Sequence, residues 1–213
     1  MVLGLACMRC HPPHAWQQAW LQALARCLPR FQMQNLANVC WALGRLRVRP
    51  PTPLLAQLLL ASAAKVGGMS GEEAVQLVTG LVAMRCKPHR VWLNMVVARV
   101  YELLPSMTCH ELGCTLCALS RLGHRPPPLW LHQAMQCCQP HLASSSPQAL
   151  AMLMYSLGRL GFRPLRPWLA EWLTACARQW PASSLVDLTS YLQQQQRLPA
   201  RPHSQRCGRG RGV

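Results

Sequence analysis

A proline recurs every 38 residues along this chain: Pro12, Pro50, Pro88, Pro126, Pro164 and Pro202. Four residues after each stand Trp16, Leu54, Trp92, Trp130, Trp168 and Arg206. Spacings this regular, with no insertion, mean that one structural unit is repeated. A unit of 38 residues cannot bury its own apolar face, so each must stack on the next.

Each unit reads as two helices. A capping column, Gln32, Ser70, Thr108, Ser146 and Ser184, precedes the first. Ser70 and Glu73, and Thr108 and Glu111, have the spacing at which hydroxyl and carboxylate satisfy each other's free backbone N–H groups. Apolar columns then follow at helical intervals. They are Leu36/Ala74/Leu112/Leu150/Leu188, Cys40/Val78/Leu116/Met154/Leu192, Leu43/Leu81/Leu119/Leu157 and Leu46/Met84/Leu122/Leu160/Leu198. This makes one core-facing stripe. The small columns Ala37/Val75/Gly113/Ala151 and Gly44/Val82/Ser120/Gly158 suit close approach of neighbouring units. The proline ends the first helix, because the residue before it is pushed out of the α region. A second helix follows, expected from about Trp92 to Leu104 and Trp130 to Leu142 in the central units.

The expected fold is therefore all-α: a right-handed α-solenoid of stacked helix-turn-helix repeats with a 38-residue period. A single array would cover residues 1–199. It divides into a partial unit 1–31, full units 32–69, 70–107, 108–145 and 146–183, and a partial unit 184–199. Leu5 falls in the Leu43 column, so the first unit begins in phase inside a first helix. Residues 200–213 form an Arg/Gly-rich tail, expected to be disordered.

Charge supplies the functional clue. The chain carries 22 Lys+Arg against 6 Asp+Glu, a formal net charge of +16. So few carboxylates leave little for acid-base catalysis, and no Ser/His/Asp or Cys/His arrangement recurs, so an enzyme is not expected. The positive charge is organised. One column reads Arg45, Ala83, Arg121, Arg159, Arg197, and four residues on another reads Arg49, Lys87, Arg125, Arg163, Arg201. Stacking would turn these into a basic ridge able to follow a phosphate backbone. By the helical period, columns 35, 38 and 42 share the arc beside it. They hold Asn35, Asn38, Glu73, Gln76, Glu111, Cys114, Met152, Ser156, Ser190 and Gln194, varied residues able to meet base edges or faces. Two blander readings stand beside this one. Cations near helix C-termini complement the macrodipole, and Glu73 and Glu111 serve as caps. Dipole complementation does not require an excess of +16, which favours a nucleic acid.

Units such as LANVCWALGRLRVRPP and ALAMLMYSLGRLGFRPLRPWL resemble the octotricopeptide repeat. That family opens its second helix with a PPPEW-like motif, matched here by Arg125-Pro126-Pro127-Pro128-Leu129-Trp130. Leu129 stands where the motif is acidic, and Leu54 replaces Trp in another unit. The resemblance implies sequence-selective binding of single-stranded RNA, with about one nucleotide per repeat, in chloroplasts or mitochondria of green algae. It implies control of transcript stability, processing or translation, with other RNA-processing proteins as further partners. The alternative is a helical scaffold for an acidic protein.

Twelve cysteines raise a metal question. Cys7-x-x-Cys10 and Cys114-x-x-Cys117 lie in columns holding other residue types elsewhere, and no second pair completes four ligands. Neither a metal nor a cofactor is expected. Most cysteines read as small core residues, with Cys137, Cys138 and Cys207 as candidates for oxidation. No apolar stretch reaches membrane-spanning length without a charge or Pro.

Overall fold

The computed structural model describes residues 2–179. The partial unit 184–199, the tail, and with them Ser184, Ser190, Gln194, Arg197, Arg201 and Cys207 lie outside the described residues. Among the described residues the chain is all-helical, with no strand. The first helices of the units are α1 (Val2–Cys7), α3 (Met33–Arg45), α5 (Gly71–Ala83), α7 (Cys109–Leu122) and α9 (Pro147–Leu160). The second helices are α2 (His14–Cys27), α4 (Thr52–Lys65), α6 (Arg90–Leu103), α8 (Pro128–Cys138) and α10 (Arg166–Gln179). Short 3-10 turns follow α2, α4, α6 and α8. No described helix is long and apolar enough to cross a membrane.

Local chemistry explains where the helices begin. Ser70 and Thr108 each accept from the backbone N–H three residues on, while Glu73 and Glu111 return the bond to the cap's own N–H. The Ser146 hydroxyl accepts from the Ala149 N–H, and Gln32 occupies the same place without a side-chain bond. The second helices start earlier than the Trp column suggested. Pro51, His89 and Pro127 are their N-caps, directly after the buried prolines Pro50, Pro88 and Pro126. Helix α8 also stops short of Leu142, and a 3-10 segment, Gln139–Ser144, takes over. Pro140 has no N–H to continue the α-helical bonding.

Every first helix closes on the same turn. The backbone N–H groups of Cys10, Val48, Cys86, His124 and Phe162 donate to the carbonyls of Leu5, Leu43, Leu81, Leu119 and Leu157 at 2.9–3.0 Å. This is the six-to-one bond of a helix that ends through a left-handed residue. That residue is Arg9, Arg47 or Arg85, with φ of 53°, 53° and 54°, and then Gly123 or Gly161, with φ of 77° and 62°.

The apolar stripe forms the core. Leu36, Leu43, Leu77, Leu81, Leu112, Leu116, Leu119 and Leu150 are among its largest fully buried side chains. First helices pack in series, α1 on α3, α3 on α5, α5 on α7 and α7 on α9. Glycine permits the closest of these approaches. A Cβ at Gly80 would stand 2.3 Å from the Cys40 carbonyl oxygen, and one at Gly44 would stand 2.8 Å from the Gly80 oxygen. Second helices are tied differently. Trp92, Trp130 and Trp168 are buried, and each Nε1–H donates to a carbonyl of the preceding second helix. The acceptors are Leu59 at 3.2 Å, Val97 at 3.2 Å and Met135 at 3.0 Å. The indole thus buries a large apolar area without leaving its polar atom unpaired.

Candidate nucleic-acid interface

The turns that close the first helices lead straight into the second helices, so both helix ends meet along one edge of each pair. Residues 7–16, 45–54, 83–92, 121–130 and 159–168 make up this edge. It holds twelve of the seventeen Lys and Arg residues among the described ones. They are Arg9; Arg45, Arg47 and Arg49; Arg85, Lys87 and Arg90; Arg121 and Arg125; and Arg159, Arg163 and Arg166. No Asp or Glu falls in these segments. Arg121 is half-buried and the other eleven are exposed.

Contacts between units knit the edge together. Arg159 Nε donates to the Ser120 hydroxyl of the preceding first helix at 3.0 Å. Its guanidinium also lies 5.8 Å from the Tyr155 ring centre, as Arg45 lies 5.9 Å from that of Trp41. Burial raises the Cys117 thiol pKa, and the charges of both Arg121 and Arg159 oppose that rise. Arg125 reaches forward, with Nη2 3.3 Å from where a Cβ at Gly161 would stand. Arg49 acts the same way on Cys86, whose pKa burial raises and the nearby charge lowers. His124 is held below its ordinary pKa, first by burial and then by Arg90. The two basic columns and the starts of the second helices therefore share a neighbourhood. A polyanion laid there would meet guanidinium groups able to pair bidentately with phosphate oxygens.

The predicted base-facing residues fare unevenly. Asn35 is exposed, and Asn38, Gln76 and Cys114 are half-buried. Gln76 Nε2 donates to Glu72 Oε1 at 3.1 Å, whereas Gln76 Oε1 has no partner among the described residues. Cys114 Sγ lies 3.6 Å from His110 Nε2. Glu73 and Glu111 are engaged as caps, each accepting a backbone N–H at 2.8 Å.

Met152 and Ser156 require a correction. Ser156 is fully buried, and its hydroxyl donates to Gly113 O at 2.9 Å and Met152 O at 2.6 Å. Met152 is 8% exposed and packs on Gly113. Their environment follows from the helix crossing. Ala42, Gly80, Ala118 and Ser156 form one column, and that column faces the neighbouring first helix. The open arc is therefore rotated by about one residue, about 100° on a helix. It carries Gln34, Glu72, His110 and Gln148, all exposed, beside half-buried Trp41, Thr79 and Tyr155. The column at 34 contains no apolar residue in any described unit, a signal present in the sequence. The left-handed arginines were likewise marked there, since glycine fills the same column at 123 and 161.

The cysteines are mostly core. Cys40, Cys86, Cys109, Cys117, Cys138 and Cys176 are buried. Cys138, expected to be open to oxidation, is 1% exposed. The α8 helix turns it inward, where its Sγ hydrogen-bonds Met135 O. Cys137 is half-buried. Among the described residues no three His, Cys, Asp or Glu side chains converge on a metal-sized site.

Among the described residues, the fold and this edge define paired helices with most of their cations where the first helix of each pair leads into the second. The family model described as Tbc2 translation factor, C-terminal domain, matches residues 35–209, and the chain belongs to that family. No curated protein matches the chain.

Proposed function

We propose that this chain is a right-handed α-solenoid of 38-residue units that binds single-stranded RNA along its basic edge. In this reading it acts in the translation of transcripts in a chloroplast or mitochondrion. The observation that carries it is the gathering of twelve of seventeen described cations on one edge that lacks carboxylates. Dipole complementation alone gives no reason to include Arg90 and Arg166, which sit at helix starts. Family membership supports a role in translation, with which RNA binding is consistent.

The division of labour is as follows. Arg45, Arg49, Lys87, Arg121, Arg125, Arg159 and Arg163 hold phosphates. Asn35, Asn38, Gln76 and Cys114, joined by Gln34, His110 and Gln148, read bases at about one nucleotide per unit. Trp41 and Tyr155, each beside an arginine, provide stacking surfaces for bases.

A salt titration of binding to single-stranded RNA tests this. About five neutralised phosphates give a log–log slope near −3.5. Arg121→Ala with Arg159→Ala should weaken all RNAs alike, while His110→Ala and Asn38→Ala should change base preference. Absence of RNA affinity at low salt refutes the proposal. Salt-sensitive binding to an acidic protein instead would establish the scaffold reading.

A further inference from the structure

The left-handed position that ends each first helix changes occupant along the chain. Glycine holds it at 123 and 161, and arginine holds it at 9, 47 and 85. Glycine adopts this conformation without steric cost, whereas any residue with a Cβ is strained there. The turn forms the same hydrogen bonds with either occupant. Neither packing nor pairing accounts for arginine. All three side chains are exposed, and the one ion pair among the described residues is Arg99 with Glu102. Strain kept at an exposed position points to a use for the side chain itself.

The neighbourhood indicates that use. Arg47 stands between Arg45 and Arg49, and Arg85 stands beside Lys87. Helix α5 is the first helix that carries Ala83 where α3, α7 and α9 carry arginine. Arg85 returns a cation to the unit in which that column is broken.

We infer that Arg9, Arg47 and Arg85 form a third set of phosphate-binding side chains, confined to the first three units. This rests on the RNA reading above. The unit with Arg45, Arg47 and Arg49 then makes three phosphate contacts, and Arg85 with Lys87 keeps the next unit level with the two contacts of each later described unit.

The test exchanges occupants in both directions. Arg47→Gly with Arg85→Gly removes two cations and leaves each turn its preferred residue. Gly123→Arg adds one, and a Cβ at Gly123 meets nothing within 4 Å. Binding of a labelled random-sequence single-stranded RNA 20-mer is measured by anisotropy from about 50 to 200 mM KCl. The double variant should bind more weakly, with a slope shallower by about 1.4, so the fall in affinity across that range shrinks about sevenfold. Its Tm should stay level or rise. Gly123→Arg should steepen the slope by about 0.7. Arg26→Gln with Arg30→Gln, an equal charge loss away from the edge, should leave the slope unchanged. The inference is overturned if the double variant keeps the wild-type slope, if the Arg26 and Arg30 control matches it, or if its Tm falls. Failure of the wild-type chain to bind RNA would refute the RNA reading itself, a result distinct from these.

Discussion

Replacing Gly80 with alanine should be among the most damaging one-methyl changes available in this chain. The new Cβ would stand 2.3 Å from Cys40 O, 2.5 Å from Cys40 C and 2.8 Å from Trp41 N. All three are backbone atoms of α3, so no side chain can swing aside. An ordinary contact begins near 3.4 Å, and α3 and α5 must therefore separate by about 1 Å. A gap of that size forfeits about a quarter to a half of each dispersion contact across the interface. That interface includes the fully buried Leu43, Leu77 and Leu81. The cost should lie at the upper end of overpacking, about 3 kcal/mol or more. For a chain of this size it lowers Tm by about 6–12 °C.

Two sister variants calibrate this prediction. Gly113→Ala meets Leu153 N at 3.1 Å and Met152 Cγ at 3.2 Å, so about 1 kcal/mol is expected. Gly158→Ala meets nothing within 4 Å, and the better helix former should stabilise α9 by up to about 1 kcal/mol. Thermal and urea melts of the three variants read the order directly. If Gly80→Ala is no worse than Gly113→Ala, the close crossing of α3 and α5 is not real.

Two more outcomes are expected. Thr108→Ala removes one half of a capping box and should cost about 1 kcal/mol, with RNA affinity unchanged in the binding assay above. Burial holds the Cys40 thiol far above its ordinary value of 9.0. The folded thiol therefore stays neutral while the unfolded one ionises, so its stabilising contribution is complete below pH 9 and declines above it. By pH 11, two units above that value, the loss is on the order of 3 kcal/mol. Val78 fills the same column, so Cys40→Val should fold and flatten the alkaline fall in Tm, and an unchanged pH profile would contradict this.

Much of the architecture could be read residue by residue. The hydroxyls of Ser70, Thr108 and Ser146 cap helices where the sequence put them. The columns beginning at Leu36 and Leu43 are buried from α3 to α9, while Leu5 of α1, in the Leu43 column, is half-buried. Both signals are local, because a cap acts within one turn and an apolar stripe faces inward in any packing. The candidate interface was legible only in part. The basic columns were visible as repeats of charge. Ser156 and Met152 were misplaced because helical periodicity gives relative angles on one helix, not where its neighbours sit.

The sequence alone determined that this chain is built from helical pairs, which side of each helix is apolar, and that cations recur where first helices end. Covalent order and local propensity suffice for these. Tertiary structure decided the rest. The close crossing at Gly80 turned one expected base-facing column into an interior seam and opened the column at Gln34, Glu72, His110 and Gln148 instead. It also brought Arg125 to the turn at Gly161 and Arg159 to Ser120. Side chains roughly one unit apart in the chain become neighbours only when backbones pack, and how closely they pack depends on a methyl group that glycine lacks.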